Sequence, residues 1–156
     1  MGTRKEKTNV MRILDQHNIS YRYCFYDDTI VNAQDVAALI KINPTKIFKT
    51  LVTIGRSRTY YVFMIPANKE LDLKNAALAA GEKSLEMIPQ KDLLPLTGYV
   101  HGGCSPIGMK RAFKTFIDKS VETIEILSFS GGRVGSQVQM TLQELQIVLP
   151  VILTEL

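Results

Sequence analysis

The chain has 156 residues, 46% of them hydrophobic, which is enough for one domain with a real core and is not a disordered composition. Its 19 basic and 15 acidic side chains give a net charge of +4, which suits an anionic partner such as nucleic acid without requiring one. No apolar run reaches the roughly 20 residues of a spanning helix, the opening MGTRKEKTNV lacks the apolar stretch of a signal peptide, and two cysteines make no disulfide framework; the expectation is a single domain over 1–156 in the cytoplasm.

Val10, Ile13, Leu14 and His17 fall at helical spacing, with Thr8 or Asn9 as the cap. Ile19, Tyr21, Tyr23 and Phe25 then alternate with polar neighbours as a strand, which turns Tyr26 away from the other two tyrosines. NAQDVAALIKI predicts a second helix with Val36, Leu39 and Ile40 inward, stopped by Asn43-Pro44. TKIFKTLVTIG and TYYVFMIPA, joined by GRSR, form the clearest hairpin in the chain. DLKNAALAAG reads as a helix ended by Gly81, and SLEMI as a short strand. DLLPLTG is broken by Pro95 and leads into YVHGGCSPIG, read as a strand entering a glycine-rich turn. FKTFIDKSV, TIEILSFSGG and SQVQM read as three further strands, and TLQELQIVL as a helix with a Thr141/Glu144 capping box. Hairpins mixed with helices predict an α+β domain, a mixed and largely antiparallel sheet with flanking helices.

Three features stand out chemically. Lys49 shares a strand face with Ile47 and Leu51, where an ammonium group is out of place unless it snorkels to water or meets a ligand. HGGCSPIG (101–108) and SGGRVG (130–135) both follow apolar strands. Glycines there let backbone N–H groups converge on a phosphate, a carboxylate or a developing oxyanion, although either segment alone also suits an ordinary turn. The spacing matches neither a P-loop nor a dinucleotide fingerprint. Ser105 lies near His101 but precedes a proline and sits in no nucleophile elbow. Cys104 has no base beyond His101, and Asp27-Asp28 reads as a solvated turn. Two cysteines and two histidines without close spacing predict no zinc site.

IFKTL, GGCSPIG and SGGRVG, in this order, resemble the YbaK/EbsC family of aminoacyl-tRNA deacylases, which includes freestanding Cys-tRNA(Pro) deacylases and the editing domain of some prolyl-tRNA synthetases. The resemblance covers almost the whole chain and implies the fold of that editing domain. It assigns activity to Lys49, the backbone at Gly102 and Gly103 to the aminoacyl ester, and Tyr26, Ser105, Ser130, Gly131 and Gly132 to substrate binding. The positive charge expected to bind tRNA electrostatically is spread over Arg4, Lys5, Lys7, Lys110, Arg111 and Lys114, of which Lys110, Arg111 and Lys114 in MKRAFK are expected to follow the acceptor stem. The chain departs from the family in DDTIVNAQ, which is short and lacks a pocket aromatic, at Val134, where a basic-Gly pair is common, and at Gln137, where an acidic residue often falls.

For a cysteinyl ester the resemblance implies cleavage by the substrate's own thiol, with no protein nucleophile, metal or cofactor. The expected partner is mischarged tRNA, with prolyl-tRNA synthetase a candidate second partner, and neither membrane nor DNA. The leading expectation is a trans-editing Cys-tRNA(Pro) deacylase. The alternatives are an Ala-tRNA(Pro) deacylase and a non-catalytic tRNA- or nucleotide-binding module.

Overall fold

A computed structural model describes residues 6–156. Helix α1 (Asn9–Gln16) starts at Thr8, whose hydroxyl accepts from Met11 N–H at 3.2 Å. It buries Val10, Met11 and Leu14 as one stripe. Strand β1 (Arg22–Phe25) leads to α2 (Ala33–Ile40), capped by the Asn32 side chain. Val36 and Ala37 are the buried residues of α2, whereas Leu39, expected inward, is 49% exposed. The inward stripe of α2 is narrower than its apolar composition suggested.

A 3-10 turn at Pro44–Lys46 feeds β2 (Ile47–Gly55), and β3 (Tyr60–Pro66) returns beside it as the expected hairpin. Helix α3 (Leu73–Ala80) ends at Gly81 in the left-handed conformation, followed by the short β4 (Leu85–Met87). Pro95 does not break the next segment. Leu93–Thr97 is a helix, α4, and Pro95 sits in its first turn, where no intrahelical N–H bond is lost. Residues 99–100, expected in a strand, belong to a loop instead. Gly98 ends α4 in the left-handed region and the Thr97 hydroxyl takes the Tyr99 N–H at 3.1 Å.

Strands β5 (Lys114–Asp118) and β6 (Leu127–Ser130) are shorter than expected, because Asp118 caps a 3-10 turn at Lys119–Thr123 between them. Strand β7 (Ser136–Met140) and helix α5 (Leu142–Val148), with its capping box at Thr141 and Glu144, fall where the sequence placed them. The closing β8 (Ile152–Thr154) was not anticipated.

One eight-stranded sheet runs in the order β1-β7-β6-β2-β3-β5-β8, with β4 also on β2. It is mixed: β1–β7, β6–β7, β2–β3 and β2–β4 are antiparallel, and β2–β6, β3–β5 and β5–β8 are parallel. Helices α1 and α5 cover one face, packing on Phe48, Met64, Phe129 and Val138. Helices α2 and α3 cover the other in two separate patches. Val36 and Ala37 of α2 pack with Ile47, and Ala76 and Ala77 of α3 pack with Phe63 and Ile65.

Candidate active site

The two ends of β2 are paired differently. On the side away from β3, β6 pairs with Ile47 and Phe48, and β4 pairs with Thr53 to Gly55. The middle of the strand has no neighbour on that side among the described residues. Thr50 is central to this opening. Ile88 N–H donates to Val52 C=O on the β4 side, so by strand alternation the Thr50 N–H and C=O also point that way, between β6 and β4. The Thr50 hydroxyl is buried and finds no hydrogen-bond partner among the described residues.

A cleft of about 440 Å³ occupies the opening. Lys49 lines it from the helix-α2/α3 face, between the patches held by Ile47 and Leu51. This is why the strand tolerates the ammonium group: neither helix covers that position. Burial still lowers the Lys49 pKa from its usual value, with Glu70 acting in the opposite sense. Tyr26 and Gln137 face Lys49 from the β1–β7 side, and Ser130 stands at the end of β6. Burial raises the Tyr26 pKa, and the Gln137 side chain counters part of that effect.

The first glycine segment closes the cleft with His101, Gly102 and Cys104. Gly102 has φ +87°, and a Cβ there would lie 2.8 Å from that of Val31, so both conformation and space require glycine. The two glycine segments meet, as a Cβ on Gly103 would stand 2.8 Å from Val134 N. Gly103 N–H itself donates to Val100 C=O at 3.0 Å. Gly131 and Gly132 turn toward the core: Gly131 N–H donates to Ser136 C=O, and Gly132 packs on Val10 and Tyr99. Ser105 is fully buried, with its hydroxyl accepting from Ile107 N–H at 3.4 Å. Of the expected residues, Lys49, Tyr26, Gly102 and Ser130 therefore line the cleft, and Gly103, Ser105, Gly131 and Gly132 shape the loops behind it.

The basic loop lies elsewhere. Arg111 and Lys114 border another cavity of about 440 Å³ beside β5 and β8, where Arg111 lies 5.3 Å over the Phe113 ring and Lys114 5.8 Å over Phe116. Lys110 packs along Gly98. Arg4 and Lys5 lie outside the described residues, and Lys7 is ion-paired with Asp15.

Thr50 and Val31 were not singled out for the site by the sequence, and His101 was weighed there only as a base for Ser105 or Cys104. Val31 stands in the short segment that lacks an aromatic, and it supplies an aliphatic wall there. Cys104 reaches the cleft, but burial pushes its thiol up to about 12, against a hydrogen bond from Thr97 that works to lower it. A thiol held neutral in this way is a poor nucleophile.

Residues 27–147 match the model of the aminoacyl-tRNA editing domain. The chain belongs to that family. The likeness read from the three motifs is borne out, and the reaction class is that of the family, deacylation of aminoacyl-tRNA. A protein of Enterococcus faecalis named "Putative Cys-tRNA(Pro)/Cys-tRNA(Cys) deacylase EbsC" is 42% identical over 138 residues, 87% of this chain and 84% of that one. A proline–tRNA ligase of Fervidobacterium nodosum is 29% identical over 98 residues, 63% of this chain and 17% of the ligase. The crystal structure titled as that of "a putative trans-editing enzyme for prolyl tRNA synthetase" superposes with a TM-score of 0.83 at 19% identity, covering 96% of this chain and 98% of that one. It shares the fold, as expected from the mixed sheet.

Proposed function

We propose that the protein is a trans-editing deacylase whose main substrate is Cys-tRNA(Pro). The observation that carries this reading is a cleft with a cation and the Thr50 N–H left open between β6 and β4, and with no activated nucleophile among the described residues that line it, the Cys104 thiol being held neutral. A cysteinyl ester brings its own nucleophile. In this reading Lys49 grips the ribose or the ester carbonyl, and Tyr26, Ser130 and Gly102 hold the aminoacyl group so that its thiol faces the carbonyl. The substrate sulfur attacks the carbonyl carbon, the C–O bond to the ribose breaks, and the thiol proton passes to the departing ribose oxygen. The products are a cyclic thiolactone and uncharged tRNA. Donors directed at the carbonyl oxygen stabilise its transient negative charge.

The need for such an enzyme is physical. A synthetase pocket shaped for proline rejects cysteine or alanine weakly, so a second site must clear the errors. The likeness to part of a proline–tRNA ligase supports prolyl-tRNA synthetase as the source of substrate. The test is incubation with tRNA(Pro) charged with cysteine, alanine or proline, with the released amino acid identified by mass spectrometry. Thiolactone from the cysteinyl ester, at a rate above alanine release, is expected. Faster alanine release would instead establish an Ala-tRNA(Pro) deacylase, and retention of charged tRNA without release a binding module.

A further inference from the structure

The face of β1, β7 and β6 that carries Tyr26, Gln137 and Ser130 into the cleft does not stop there. One two-residue step away, about 7 Å, stand Gln139 on β7 and Ser128 on β6, and Arg22, four residues before Tyr26, is in register beside Gln139. They form one wall of a separate cavity of about 320 Å³, closed on the other side by Lys41, Asn43 and Lys46 from the connection between α2 and β2. The two cavities share a partition. Ser128 Oγ, on the second cavity, donates at 2.8 Å to Oε1 of Gln137, on the first.

The second cavity is a cationic one. Arg22, Lys41 and Lys46 face it with a single carboxylate, Glu125, and among the described residues none of these four makes an ion pair. An independent feature concerns Lys41. It closes α2 in the left-handed conformation, φ +60° and ψ +44°, where helices usually carry glycine and a side chain adds strain. Strain kept at a residue that glycine would relieve points to a use for its side chain.

We propose that this cavity is a phosphate subsite for the single-stranded RNA end whose terminal ribose occupies the cleft, with Arg22, Lys41 and Lys46 neutralising the phosphodiester one nucleotide before the ester. The separation along the strands is about the length of one nucleotide step in an extended chain. Gln139 and Ser128 supply neutral polar walls, and the row leads directly from Lys49's cleft to the cations. The proposal rests on the deacylase reading for the identity of the occupant.

The experiment uses the whole protein and has two readouts. In the first, a fluorescent uncharged RNA hairpin with a single-stranded 3′ end is titrated at several salt concentrations against wild type, Lys41→Gly and Arg22→Ala/Lys46→Ala. In the second, deacylation is compared between full cysteinyl-tRNA and a cysteinyl ester of adenosine, which has the ribose but no phosphate. Both variants should raise the Kd for RNA, the double variant about tenfold or more. Each lost phosphate contact should shallow the salt dependence by about 0.7 in the log–log slope. KM should rise for tRNA and stay unchanged for the adenosine ester. Lys41→Gly should melt no lower than wild type, since it relieves the left-handed residue. Unchanged affinity and slope, or equal losses on both substrates, would overturn the subsite. Absence of turnover in the wild type would instead overturn the deacylase reading, and the RNA titration would still decide the subsite.

Discussion

Lys49 sits on an apolar strand face where it lines the cleft, and its burial makes the ammonium give up its proton more easily than a lysine in solution. Its charge is present below the lowered pKa and lost above it. Activity that depends on that charge should therefore fall at high pH, at a midpoint below the usual lysine value of 10.5, after correction for spontaneous ester hydrolysis. In its proposed role Lys49 makes a charge-assisted contact of about 1.5–3 kcal/mol, so Lys49→Ala should lower kcat/KM by about ten- to a hundredfold. A folded variant with wild-type turnover would remove Lys49 from the mechanism. Cys104→Ala should keep most of the turnover, because the thiol is buried and neutral. Complete loss in a folded variant would point to a protein thiol instead.

The cleft depends on two loops that touch through Gly103. A methyl group there would meet Val134 N at 2.8 Å and the Arg133 carbonyl carbon at 3.1 Å, and backbone atoms cannot move aside as a flexible side chain can. Gly103→Ala should part the loops, costing about 1–3 kcal/mol in stability by overpacking and lowering kcat/KM. Gly81→Ala is the contrast. It has open space but φ +73°, so thermal unfolding should register about 1 kcal/mol of destabilisation while activity persists. These two positions also show what the sequence made legible. Gly81 declared itself as a helix stop, and the glycine segments declared themselves as sharp turns, since local conformation depends on local residues. That Gly102 and Ser130 face the cleft while Gly131, Gly132 and Ser105 face inward depends on how the segments pack on α1 and on each other. Lys49 was legible as an ammonium group among apolar neighbours. Thr50 was not, because its significance comes from the missing strand beside it. Tyr99 and Val100 have strand-like composition, but the Gly98 turn and the Thr97 hydroxyl claim the backbone first.

The far end of the sheet is tied down by one carboxylate. Asp118 is buried and bonds Lys69 Nζ at 3.2 Å, Ser120 N–H at 3.2 Å and the C-terminal Leu156 N–H at 3.0 Å. Burial by itself would raise its pKa, but these donors outweigh it and the value falls below 3.8. A folded-state pKa below the unfolded one stabilises the protein fully above the unfolded pKa, and that contribution is lost as pH falls through the folded value. Melting temperature measured from pH 7 down to about 2 should drop more steeply in wild type than in Asp118→Asn, which should start lower at pH 7. Across the whole molecule, the strand that precedes Tyr26 pairs with the strand that carries Gln137, Arg22 standing opposite Gln139. Those partners lie at opposite ends of the chain, so a large loop must close before the cleft has two walls. Synthesis from the N-terminus makes the first wall long before the second exists. With the proposed site in that cleft, a nascent chain should have no editing capacity until its last third has emerged and joined the sheet. In refolding from denaturant, deacylase activity should return no earlier than the β-sheet circular dichroism signal, and activity ahead of the sheet would show that the cleft assembles without the β1–β7 pairing.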